Sequence, residues 1–100
     1  MRANIEFLEN GFGKFNHEMF DDELPVPAMR ISSARSFVGQ FKTEKTIGFM
    51  GRTKASYCLT LSNRYELEER VLEDVLIHEM IHFLISFRKI RDTSSHGKKF

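Results

Sequence analysis

Residues 71–90 are apolar at most positions and hold neither proline nor glycine, and the run is interrupted by His78, Glu79 and His82. A stretch of that length and composition predicts a helix packed against the rest of the chain. Such polar interruptions exclude a membrane span. On a helix, residues four apart stand about 40° apart around the axis and one turn along. His78 and His82 therefore leave one face at adjoining levels and can hold a single metal ion. Glu79 projects to the side, where it can take a proton from a water at that metal without ligating it. These are the mechanics of the H-E-x-x-H signature. Shuffling the same composition produces the pattern only about 0.015 times per chain, so an accident of two core histidines is the weaker reading.

The flanks suggest where this helix begins and ends. Asn63 followed by Glu66 makes a capping-box pattern, with Asn in place of Ser or Thr. Glu66, Glu68 and Glu69 place negative charge where the helix dipole favours it, and Arg88, Lys89 and Arg91 do the converse at the other end. The helix is expected from about Asn63 to residues 87–90. Its stripe of Leu67, Val71, Val75, His78 and His82 is apolar up to the histidines. That turns the metal side inward, into the angle between helix and sheet.

Upstream, Ile5, Leu8, Phe12, Phe15 and Met19 recur at spacings of three and four, which predicts a helix over residues 4–20. Gly11 and Gly13 each cost it about 1 kcal/mol against Ala, so packing must hold it together. His17 sits among acidic neighbours and reads as a solvated surface histidine. Pro25 and Pro27 end the helical region. From Met29 the period changes to two: Met29 and Ile31, then Phe37, Gly39 and Phe41, then Tyr57, Leu59 and Leu61 alternate with polar or smaller residues. Short connections between these runs predict an antiparallel meander of three or four strands. The fold class read from the sequence is α+β: an N-terminal helix, a small antiparallel sheet and a long helix carrying the histidines.

One hundred residues suit a single domain, 1–100, with little core to spare. The lone Cys58 excludes an internal disulfide and a cysteine-ligated zinc ribbon, and it fits a reducing, intracellular setting. The N-terminal residues lack the apolar segment of a signal peptide.

Charge is segregated beneath a net value of +1. Residues 1–28 carry two cations and six anions, residues 29–65 seven and one, residues 66–87 one and six, and residues 88–100 five and one. Two basic segments, 30–54 (Arg30, Arg35, Lys42, Arg52, Lys54) and 88–99, can contact a polyanion such as DNA. Charge pairing between helices and strands accounts for the pattern equally well.

Two histidines fall short of a catalytic zinc site, which uses three protein ligands and a water. No glutamate follows Glu79, which excludes a downstream glutamate ligand. The H-E-x-x-H-x-x-G-x-x-H pattern also fails, with Ile85 at its glycine position and Arg88 at its third histidine. His96, delivered by a turn at Asp92-Thr93-Ser94-Ser95 and followed by Gly97, is the first choice. Asp92 is the reserve, and it serves as readily as a turn residue.

The order Asn16…Phe20…Leu24-Pro25, short strands, His78-Glu79-Met80-Ile81-His82 and finally His96-Gly97-Lys98-Lys99-Phe100 resembles the protease core of the SprT-like (Spartan-related) zinc metallopeptidases. The resemblance covers nearly the whole chain. It implies a zincin-like minimal domain with Zn2+ as cofactor, His78, His82 and His96 as ligands and Glu79 as general base. It also implies a protein substrate, with DNA-bound or crosslinked proteins as the class. Relatives continue into further helix, so the resemblance implies either a core cut short after Phe100 or a minimal member.

A second reading from another class uses the same histidines to stabilise a nucleic-acid- or protein-binding module without peptidase activity. An intact Glu79 weighs against it, because a structural metal has no need of that carboxylate. A plain α+β interaction domain with no metal is a third. Tyr57, Arg64, Tyr65 and Ser94 can each donate a hydrogen bond to a transition state, and no spacing selects among them.

Overall fold

The side chain of Asn4 accepts the Phe7 N–H at 2.7 Å and so starts helix α1 (Ile5–Met19). Its Leu8, Phe12 and Phe15 are buried, while Ile5 and Met19 at the two ends of the expected stripe stay exposed. Asn16 is buried beside them and fixes the chain that follows. Its side-chain N–H donates to Leu24 O at 3.0 Å and its Oδ1 accepts Leu24 N–H at 3.1 Å. Its carbonyl accepts the N–H groups of Phe20 and Asp22. Phe20 and Leu24 are thereby tucked into the core. The computed structural model describes residues 1–51 and 53–95 of the chain, which continue as β1 (Ala28–Ser32), β2 (Gly39–Ile47), β3 (Thr53–Ser62) and α2 (Glu69–Ser95).

The three strands form a mixed sheet in the order β1-β3-β2, not the antiparallel meander that the short loops predict. β2 pairs antiparallel with β3, from Gly39↔Leu61 to Ile47↔Thr53. β1 pairs parallel with β3, from Ala28↔Cys58 to Ser32↔Ser62. The connection over residues 33–38 crosses the end of β3 instead of making a hairpin. Ser62, 1% exposed, pins that crossing: its Oγ donates to Ala34 O at 2.7 Å and its N–H to Val38 O at 2.8 Å. The adjoining Asn63 N–H donates to Ser32 O at 2.8 Å. The most apolar strand, with Leu59 and Leu61 each 1% exposed, thus takes the centre.

Both helices lie on the sheet face that presents Met29, Ile31, Phe41, Tyr57, Leu59 and Leu61. The opposite face carries Arg30, Lys42, Glu44, Lys54, Ser56, Cys58 and Thr60 and is exposed or half-buried. Phe83 anchors the covered side, with ring centroids 4.8 Å from Tyr57, 5.1 Å from Phe41 and 6.3 Å from Phe12. The helices approach closely at Gly11, where a Cβ would stand 2.7 Å from Leu76 Cδ2.

α2 departs from expectation in three ways. It begins at Glu69, so the Asn63–Glu66 pair does not cap it. Residues 63–68 instead run beside the N-terminus. Leu67 N–H donates to Met1 O, the Met1 ammonium donates to Leu67 O, and Arg2 donates to the carbonyls of Asn63 and Arg64. A hydrogen bond and charge from that ammonium hold the Glu66 carboxyl below its ordinary pKa. Second, the buried stripe is Leu72, Leu76, Met80 and Phe83, each 0% exposed, and Val71 is outside. The larger side chains win the core, and His78 and His82 stay exposed beside it, with His82 at the rim of the angle between helix and sheet. Third, residues 92–95 are helical where a turn was expected. No helix among the described residues is long and apolar enough to cross a membrane.

Candidate metal centre

One turn of α2 sets His78 and His82 side by side, both exposed, with Nε2 atoms 3.1 Å apart and rings inclined at 81°. Two nitrogens on a tetrahedral zinc, each about 2.0–2.1 Å from it, stand about 3.3 Å apart. The pair is therefore close to chelating distance, and imidazole donors suit zinc. Glu79, between them in sequence, is half-buried and faces β2. A Cβ on Gly39 would lie 3.1 Å from Glu79 Cγ and 2.6 Å from Val75 Cγ1, so strand and helix touch at this point. Glu79 and His82 open onto a groove of about 550 Å³ between β2 and α2, whose walls include Phe41, Ile85 and Ser86.

Among the described residues, no group of three or more His, Cys, Asp or Glu side chains is gathered for a metal ion. His96, the third ligand proposed from the sequence, lies outside the described residues. Arg52 and residues 97–99 of the basic segments lie outside them as well. Tyr57 packs its ring against Phe41, Phe83 and Phe87, and burial pushes its phenol above the ordinary pKa. Tyr65 donates to Arg35 O at 2.6 Å and holds the crossing loop. His17 is exposed, as expected, and pairs with Asp22 at 2.9 Å. Arg88 makes a two-pronged pair with Glu23, at 2.7 and 2.8 Å, which ties α2 to the chain after α1.

A model of the SprT-like family matches residues 8–100, which takes in the helix α1 core, the sheet and the whole histidine helix. The chain belongs to the SprT-like family. Neither curated proteins nor solved structures give a match. Family membership points to a metallopeptidase-like role for this SprT-like chain. The Asn16…Leu24 element gains a physical basis as the two-bond staple that folds the α1–β1 connection. Gly39 and Ile85 were missed in the sequence. Gly39 looks like any strand glycine until α2 is laid against it, and Ile85 enters the sequence reading only as the residue at a failed glycine position.

Proposed function

We propose that this SprT-like chain is a zinc-dependent endopeptidase with a zincin-like catalytic helix. The observation that carries the reading is the His78–His82 pair at chelating distance, with Glu79 turned into the groove between β2 and α2. His78 and His82 would hold the ion, and the family resemblance makes His96 the third ligand. When bound, zinc lowers the pKa of a water toward ~7 and polarises the scissile carbonyl. Glu79 accepts the proton of the attacking water at its carboxylate and returns one to the departing amine. β2 is an edge strand, so an extended substrate can add to it by backbone hydrogen bonds. Gly39–Ile47 makes that edge, whereas the more apolar β3 lies in the centre of the sheet.

Backbone pairing reads little sequence, so delivery decides which proteins are cut. The open sheet face carries Arg30, Lys42 and Lys54 against the single acid Glu44, and this supports docking of DNA and action on DNA-bound or crosslinked proteins. The lone half-buried Cys58 supports an intracellular setting. A half-buried Glu79 directed at the groove favours a peptidase over a metal-stabilised binding module.

The test is Glu79→Gln in zinc-loaded protein, assayed on a DNA-bound protein substrate. Cleavage is expected to fall by at least about a hundredfold while zinc content is unchanged. Equal cleavage by the variant would reject Glu79 as the base.

A further inference from the structure

The backbone register of β2 identifies which of its groups are offered to a substrate. Ser62 N–H donates to Val38 O, so with Gly39 opposite Leu61 the residues bonded to β3 are Val38, Gln40 and Lys42. Gly39, Phe41 and Thr43 then point their N–H and C=O away from β3, along an edge that no other described strand covers. These same residues face α2. Gly39 meets Glu79, the Phe41 ring lies 5.1 Å from Phe83, and Thr43 Oγ1 is 2.9 Å from Ser86 Oγ. Directly opposed residues of paired strands project their side chains to one face. An added strand thus sends the side chain opposite Phe41 into the groove towards α2.

Two apolar walls meet there, within a lining that also holds Gln40, Ser86 and Lys89. Phe41 supplies one, and Ile85, one turn beyond His82 and 59% exposed, supplies the other. Ser86 beneath them is engaged with Thr43, and Lys89, farther along, has a partner of its own. An aliphatic side chain left in water beside the histidine pair has unspent apolar surface for a ligand to cover.

We propose that Phe41 and Ile85 form a specificity subsite that takes a large apolar side chain of an extended peptide paired antiparallel to β2. The inference rests on the peptidase reading. Moving from Gly39 to Phe41 along β2 moves two residues toward the N-terminus of an antiparallel substrate. The apolar residue therefore lies on the N-terminal side of the cut, within about three positions of it.

The experiment maps cut sites by mass spectrometry in an unfolded protein mixture treated with zinc-loaded parent, Ile85→Lys and Glu79→Gln proteins. In parallel, the binding of fluorescein-labelled extended peptides with a central Leu or Asp is measured by anisotropy. The expected result is a Leu, Met or Phe preference at one fixed N-terminal position and at least about tenfold tighter binding of the Leu peptide. Both are lost in Ile85→Lys, whose exposed site leaves the melting temperature close to the parent's. Glu79-dependent cuts without side-chain preference would overturn the subsite and leave the peptidase reading standing. Absence of Glu79-dependent cuts would reject the peptidase reading. The anisotropy then judges the subsite alone, and equal affinity for Leu and Asp peptides would overturn it.

Discussion

Gly39 and Glu79 meet across the seam between β2 and α2, where a Cβ at residue 39 would come within 3.1 Å of the Glu79 side chain. It would also press on Val75 at 2.6 Å, a contact that forces strand and helix apart. Gly39→Ala is expected to cost about 1–3 kcal/mol, as overpacking does. Activity should suffer more than stability, because a displacement on the order of 1 Å at a catalytic group can cost about a hundredfold. Urea unfolding and cleavage kinetics of the folded variant check both effects. A destabilised variant with full kcat would show that Gly39 does not position Glu79.

Asn16 is the stability counterpart on the other side of the core. It is 8% exposed and both ends of its amide bond to Leu24, itself 4% exposed. Asn16→Leu leaves the Leu24 N–H and C=O buried without these partners, at about 1–3 kcal/mol for each group left unsatisfied. The variant is expected to lower the urea midpoint without changing the slope of the transition. Unchanged stability would mean that water replaces the amide.

The histidine pair was legible in the sequence because its geometry is local: i and i+4 on a helix fix it wherever the helix packs. The phase of α2 was not. Val71, Leu72, Val75, Leu76 and Ile77 make the apolar face wider than one stripe, so two stripes compete and contacts with Phe12, Phe41 and Tyr57 decide for Phe83. The strands were likewise visible from alternation, but their order was not. It depends on Ser62 capturing residues 34 and 38, a contact distant in sequence. The false cap at Asn63 has the same origin, since the backbone there bonds to Met1 and Arg2, which no local pattern reveals.

His17 carries a pH dependence of known sign. Its hydrogen bond to Asp22 and the charge of that carboxylate raise its pKa above the ordinary 6.5. A pKa higher in the folded state means that folding favours the protonated ring. The contribution is therefore full below about pH 6.5 and is lost as pH rises through the raised folded value. Melting temperatures of the parent and His17→Gln are expected to differ at pH 5 and converge by pH 9. A constant gap across that range would assign the effect to packing.

The third ligand makes the sharpest demand on the fold. α2 is helical through Ser95, and at 1.5 Å per residue that end lies about 20 Å along the axis from His82. A zinc site completed by His96 therefore requires the last turns of α2 to give up their helical hydrogen bonds when the ion binds, with binding energy offsetting that loss. Zinc titration of the parent should reduce helical ellipticity at 222 nm (on the order of one to two turns of helix), saturating near one ion per chain. His96→Ala should bind zinc more than about tenfold more weakly and keep its ellipticity, whereas His78→Ala should lose binding altogether. Tight binding by His96→Ala with no change in ellipticity would exclude His96. The helix would then stay intact, and the third position would be open to a ligand from solvent or from another chain.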